Sequence, residues 1–340
     1  MKSNGVCWPT TAMLVLACLL AGLAGCSGGS EYGSTAEKIR IGVSRWEPAV
    51  LIHVAEHEEL FDEYGLEVEL IHYPFGIDAI IALEENEVDF AISSEFAITS
   101  TSFQFPDISI IATISEMISI TLVGRRDRGI NSVADLRGKR ISMLRGIQGH
   151  FMLGRLLASE GIMLEEIDMF EGEPGQQVTL DLALEDLITG KIDATALVEP
   201  YCSTALQHLG ENAFTADLQL GQPWYHVLSA RREYANHNIE VVRKLLEALI
   251  AAEEFADENP LKAQYYLHEA TGMSPASAGI IWSSCRFTVA LPQTLLVTLD
   301  DQAAWALTNE LFGATLLPDF SRRLFLEGLK SISPERVTIY

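Results

Sequence analysis

"NEVDFAISSE" (Asn86–Glu95) and, later in the chain, "GKIDATALVE" (Gly190–Glu199) follow one pattern. A helical run precedes each, an aliphatic residue and an Asp open each, and a short β run follows. A Glu then falls at the same distance from the aliphatic residue in both, Val88 to Glu95 and Ile192 to Glu199. In open α/β sheets ligands sit beyond the carboxyl ends of strands. Both glutamates fall there, so the echo predicts two similar lobes, each presenting a carboxyl group at a matching strand end.

The surrounding chain supports this. "KIRIGV" places Ile39, Ile41 and Val43 on one face at a strand's period of two. Pro48 suits the first turn of a helix, which is expected to run to about Tyr64 and stop at Gly65. "LEVEL", "VDFAI" and "KRISML" read as strands, and "DISIIATIS" has the continuous apolarity of a strand buried on both faces. Helices are expected over "IDAIIALEEN", after Ser93 or Ser94 as cap, and over "QGHFMLGRLLASEG". Strands alternating with helices mean a mostly parallel sheet covered on both sides. The final third reads as nearly all helical, with Val242, Leu245, Leu246 and Leu249 as one apolar stripe and Asn259–Pro260 as a helix boundary.

The chain has 340 residues, 48% of them hydrophobic, enough for two cored lobes. At the start, Lys2 precedes an apolar run of 13 residues, Ala12–Ala24. A bilayer span needs about 20 residues, so residues 1–25 read as a secretory signal. "LAGC" (Leu23–Cys26) resembles the bacterial lipobox, in which Cys26 takes a lipid and anchors the chain to a membrane. Residues 26–37, rich in Gly and Ser, form a flexible tether. Without the signal, 22 Lys and Arg stand against 47 Asp and Glu, a formal charge of −25. Such a surface repels phosphate backbones and excludes nucleic acid as a partner. Cys202 and Cys285 are the two cysteines beyond Cys26; export permits them to pair, and spacing leaves this open.

One stretch suggests catalysis. "HVAEH" (His53–His57) carries the His-x-x-Glu-His pattern of a class of zinc peptidases. Helical projection places Leu51, Val54, Ala55 and Phe61 in the apolar stripe, with His53 and His57 expected toward solvent or a shallow edge. A catalytic zinc needs three protein ligands, and no downstream Glu stands out as the third. No metal or other cofactor is expected. No G-x-S-x-G elbow, Walker loop or G-x-G-x-x-G turn occurs either.

Taken in order, "IRIGVSRWEPA", "ELFDEYGLEVEL", "ALEENEVDFAISSE", "SVADLRGKRISMLRG", "LITGKIDATALVEPY", "NIEVVRKLLEALIAAEEF" and "FTVALPQTLLVTLDDQAAW" resemble the substrate-binding proteins of ABC importers. The branch is the one that takes up nitrate, sulfonates, taurine and thiamine pyrimidine precursors. The resemblance implies an α/β, two-lobed periplasmic-binding-protein fold of type II, with two crossover segments near Thr121 and Gln222. Residues 38–121 and 223–340 would build lobe 1, residues 122–222 lobe 2, and a small-molecule ligand would be clamped between them. Carried over by position, the cleft residues are Arg45, Trp46, Glu47, Ser94, Glu95, Ser115, Glu116, Arg145, Gln148, Gly149, His150, Glu199 and Tyr201. Each has a plainer alternative: Trp46 as core, the glutamates paired with Arg45 or Arg145, His150 capping its helix.

The resemblance implies a monomer that delivers its solute to an ABC permease and, through it, an ATPase. Paired carboxylates and the flat faces of Trp46 and Tyr201 favour an amine-bearing or nitrogen-heteroaromatic solute. An anion such as nitrate, a sulfonate or taurine is the alternative, held by Arg145 and the "GIQGH" helix start. Enzymes of the pyrimidine or menaquinone pathways share the fold, and a sensory binding protein is a third reading. Cys26→Ala is expected to abolish membrane attachment without unfolding the body; detergent phase partitioning checks this, and a variant that stays in the detergent phase removes the lipobox assignment.

Overall fold

A computed structural model describes residues 36–44, 49–117, 120–173, 178–313 and 315–339. The signal, Cys26 and residues 26–35 of the tether lie outside them, as do Arg45, Trp46, Glu47 and Pro48; the expected tether boundary at 37 is too late, because Glu37 already pairs in the first strand. Residues 36–340 form one compact unit. Its strands are β1 (Glu37–Ser44), β2 (Leu66–Tyr73), β3 (Phe90–Ser94), β4 (Ile108–Met117), β5 (Thr121–Arg125), β6 (Arg140–Ser142), β7 (Asp168–Phe170), β8 (Ala194–Leu197), β9 (Ala213–Asp217), β10 (Trp224–Arg231) and β11 (Cys285–Arg286).

They build two sheets with one topology. The six-stranded sheet runs β11-β4-β10-β3-β1-β2 and the five-stranded sheet β7-β6-β8-β5-β9. Reading each from its β2 or β7 edge, the order matches strand for strand, with β10 and β5 in the same slot. β10 lies antiparallel between β3 and β4, and β5 lies antiparallel between β8 and β9. The mostly parallel α/β arrangement is interrupted by β5 in the five-stranded sheet and by β10 in the six-stranded one, where the short edge strand β11 also pairs antiparallel with β4. β5 begins at Thr121, just after β4 ends at Met117, and β10 follows β9 after a short link; each of these links carries the chain from one sheet to the other.

The echoed aspartates do matching work. Asp89 Oδ2 accepts from the Arg40 backbone N–H at 2.9 Å while the Asp89 N–H donates to the Arg40 carbonyl at 2.9 Å. Asp193 does the same with Arg140, at 2.9 and 2.7 Å. Each Asp thus locks the entry of β3 or β8 to the adjacent β1 or β6. Asp89 also holds the Arg40 guanidinium, at 3.2 Å to Nε and 3.0 Å to Nη2.

The long helix Ile239–Glu258 buries Val242, Leu245, Leu246 and Leu249, and Pro260 opens the helix Pro260–Thr271, as the pattern predicts. The first helix departs from expectation. It ends at His57, Glu59 adopts a left-handed φ of 57°, and a separate turn, Leu60–Glu63, follows. His53 is buried at 6% exposure rather than facing solvent, because the helices Ile239–Glu258 and Pro260–Thr271 both pack against Val50–His57 and cover a second side. Cys202 and Cys285 are unpaired and buried. No helix among the described residues is long and apolar enough to cross a membrane.

Charge-assisted hydrogen bonds contribute about 1.5–3 kcal/mol, so Asp89→Ala is expected to cost about that much in urea unfolding, and more than Asp193→Ala, which frees no guanidinium. Equal losses would mean that the Arg40 side-chain bonds add nothing.

Candidate functional site

Among the described residues, Ser94 ends β3 and Glu95 follows it, Ser115 and Glu116 lie at the end of β4, Gln148, Gly149 and His150 open the helix after β6, and Glu199 and Tyr201 follow β8. At the end of β3, Ser94 caps the helix Glu95–Thr101, its Oγ accepting from the Ala97 N–H at 3.2 Å. Glu95 follows with 0% exposure. Its Oε1 accepts from Gln148 Nε2 at 3.1 Å and from Gln302 Nε2 at 2.9 Å. Gln302 Nε2 also reaches Gln148 Oε1 at 3.3 Å, and Thr99 Oγ1 donates to Gln302 Oε1 at 2.8 Å. Gln148 opens the helix that follows β6, so this cluster ties the two sheet systems together.

Burial pushes the Glu95 carboxyl up to about 8, outweighing the amides of Gln302 and Gln148 and the nearby backbone N–H groups of Glu95 and Tyr225, which draw it down. Glu95 is therefore mostly a neutral acid at pH 7. Its Oε2 is buried and makes no hydrogen bond among the described residues.

The other carboxylates are engaged. Glu116, at the end of β4, meets Arg286 Nη1 at 2.8 Å. Glu199 Oε2 accepts from the Ser203 N–H at 3.1 Å, at the start of the helix Tyr201–Leu209. Tyr201 donates to Asp181 at 3.4 Å. Arg145 is held by Glu171, with Nε 3.0 Å from Oε2, so none of the three glutamates uses it as partner. Glu95 and Glu199 are thus not a matched ionised pair: one is neutral and interior, the other caps a helix.

His150 is buried, and its Nδ1 accepts from the Gly146 N–H at 3.1 Å. This leaves the proton of the neutral ring on Nε2. Burial lowers its pKa to about 4, helped by Arg145 and opposed by Glu171. Trp305 stands edge-on to the ring at 4.8 Å. Gly149 packs so closely that a Cβ would lie 2.9 Å from Met143 Sδ, so that position serves packing first.

Several residues here were missed by sequence reasoning. Ser115 Oγ bonds His226 Nδ1 at 3.1 Å, and burial pushes His226 down to about 3. Trp224, two residues along β10 and so on the same face, lies 5.3 Å from the His226 ring, and its Nε1 is buried without a partner among the described residues. Gln302 and Trp305 come from the helix Gln293–Thr308. Gln302 falls on the same stripe as Leu295, Leu299 and Ala306, all buried. A Gln on an apolar stripe was the available signal.

His57 of the zinc-like stretch stacks on Tyr266 at 4.3 Å. Among the described residues no group of three or more His, Cys, Asp or Glu could hold a metal ion.

Residues 49–263 match the family described as NMT1/THI5 like. A binding protein of Brucella abortus (strain 2308) is 24% identical over 215 residues, 61% of this chain and 63% of that relative. The chain thus matches less than two thirds of the Brucella protein's length. An Escherichia coli (strain K12) protein named for binding aliphatic sulfonates is 24% identical over 223 residues, 65% of this chain and 67% of that one. Among solved structures, the periplasmic aliphatic sulphonate binding protein SsuA from Escherichia coli superposes with a TM-score of 0.71 at 18% identity, covering 85% of this chain and 92% of that one. The desulfurization enzyme DSZB shares the fold as well, with a TM-score of 0.62 at 15% identity over 87% of this chain and 98% of that one. The fold is that of the periplasmic binding proteins.

Gly154 lets Trp305 approach the Gln148 helix: a Cβ there would lie 2.7 Å from Trp305 Nε1. Ala in place of Gly inside a helix gains about 1 kcal/mol in propensity, whereas overpacking costs about 1–3. Gly154→Ala is expected to lower the urea midpoint; a raised midpoint would show that Trp305 yields without cost.

Proposed function

The chain belongs to the NMT1/THI5-like family, and from that premise we propose that it is an extracytoplasmic, lipid-anchored solute-binding protein that delivers an anionic organic solute, of the sulfonate class, to an ABC permease. The observation that carries the ligand class is the state of the carboxyl groups. Glu95 is neutralised by burial, Glu116 is paired with Arg286, and Glu199 is spent on a helix start. The repulsion that would bar an anion from a water-poor cleft is thereby reduced, and the expectation of an amine loses the ionised Glu95 on which it rested. The uncapped start of the Gln148 helix, which has no acidic residue in its first turn, supplies N–H groups and a favourable dipole for a negative group. The sulfonate-binding names among the relatives agree with this reading.

Lobe boundaries near Thr121 and Gln222 belong to the same proposal, supported by β5 starting at Thr121 in one sheet and β10 at Trp224 in the other. A binding role rather than catalysis is supported by the chemistry of the interior. His150 and His226 are held neutral. Burial raises the thiols of Cys202 and Cys285, the latter to about 12, which makes both poor nucleophiles.

Ligand at 100 times its dissociation constant adds about 2.7 kcal/mol of stability. Ethanesulfonate or taurine is expected to raise the melting temperature of the purified protein, while aminopyrimidines and simple amines leave it unchanged. The reverse pattern would replace the anion with a cationic or heteroaromatic solute.

A further inference from the structure

The buried cluster of Glu95, Thr99, Gln148 and Gln302 has a use beyond ligand contact. Glu95 and Thr99 stand on the helix that follows β3 of the six-stranded sheet, Gln148 opens the helix that follows β6 of the five-stranded sheet, and Gln302 comes from the helix Gln293–Thr308. Its four hydrogen bonds, 2.8 to 3.3 Å long, converge on two amides and one carboxyl oxygen. Any movement that separates the two sheet systems must break the Gln148 bonds. We propose that this cluster is a latch between the lobes and that it engages only with Glu95 as the neutral acid, so that closing takes up one proton. The proposal rests on reading the fold as two lobes that open and close.

The surroundings of Glu95 make the proton matter. The helix Glu95–Thr101 packs on β3, β10, the helix Gly76–Glu84 and the helix Gln293–Thr308. β3 carries no titratable residue. β10 brings Tyr225, whose hydroxyl is bonded to Thr294, His226, held neutral, and at its far end Arg231, which donates to the carbonyls of Leu83 and Val88. The Gln148 helix brings His150, also neutral. The helix Gly76–Glu84 carries Asp78, which accepts from the Phe75 N–H, and Glu84. The helix Gln293–Thr308 carries Asp300 and Asp301, which line an outer groove with Asp319. No Lys or Arg of these elements pairs with Glu95. An ionised Glu95 would therefore be a buried charge compensated only by amide dipoles, and an interior charge without a counter-ion drives the structure toward water.

The direction with pH follows. An exposed Glu titrates near 4.3, and the buried one near 8. Below both values the proton is bound in the open and closed forms alike, and closure is most favoured. Opening admits water to Glu95, which outweighs the loss of the Gln148 amide and lowers its pKa from about 8 toward that of an exposed Glu. Between the two values the closed form holds a proton that the open form has lost, so the closed-to-open ratio falls as pH rises, by at most about tenfold per pH unit.

Gln is a close mimic of the neutral acid. Its Oε1 can accept from Gln148 and Gln302 as Glu95 Oε1 does, with its amide nitrogen in the place of Oε2. Small-angle X-ray scattering of the ligand-free protein from pH 5 to 9.5 tests the latch. The parent is expected to expand as pH rises, Glu95→Gln to stay compact throughout, and Gln148→Ala to be expanded already at pH 5. A parent whose radius of gyration does not change with pH, or a Glu95→Gln protein that follows the parent's course, overturns the proposal. No solute enters this experiment, so a failed ligand screen and a failed latch are separate results.

Discussion

A carboxyl group with no exposed surface and no cation beside it must be neutral or must be let out to water, and Glu95 is such a group. The amides of Gln148 and Gln302 give it donors but no charge, and Thr99 satisfies the oxygen that Gln302 has left over. Buried polar networks of this kind are costly when half satisfied and rigid when complete. The helix Gln293–Thr308 packs through buried Leu295, Leu299, Ala303 and Ala306, and the same face brings Gln302 into that network. Trp305, one turn on, is then set against His150 and Phe151.

The same economy of charge runs through the rest of the strand-end region. Formal charges at its margin are matched locally: Glu116 with Arg286, Arg145 with Glu171. Groups that reach the interior, His150 and His226, are neutral because burial lowers their pKa values. In the proposed binding role, recognition falls to dipoles and N–H donors such as those at the start of the Gln148 helix. Such donors discriminate by geometry, since a misplaced acceptor leaves a buried donor unpaired. Among the described residues of this region, the carboxyl groups of a highly acidic protein are paired, engaged at a helix start or protonated.

How far this was legible in the sequence depends on whether the signal was local. The two Asp-led strands were visible because Asp89 and Asp193 each act on the chain next door in the same way, leaving the same residues at the same spacing. The long C-terminal helix was visible because its apolar stripe recurs with the helical period. The antiparallel β5 and β10 were not, since a strand's direction within a sheet depends on which distant strands become its neighbours. His53 was misjudged because a helical projection counts one buried face, and tertiary packing supplied a second. Glu95 was found by position but taken as ionised; its neutrality depends on Gln148 and Gln302, which stand 53 and 207 residues away in the chain.

The slot occupied by β10 has a consequence for how this molecule comes into being. β3 and β4 are made early, yet the strand that joins them begins only at Trp224. Until then, the interior strands of the first sheet have open edges, and the whole five-stranded sheet must emerge before the gap is filled. Pairings between such distant segments carry a large loop-closure entropy and form slowly. A nascent chain stopped short of residue 224 has no means of completing its first sheet, whereas all five strands of the second lie between Thr121 and Asp217, so the first sheet is expected to be finished last although its strands begin the chain.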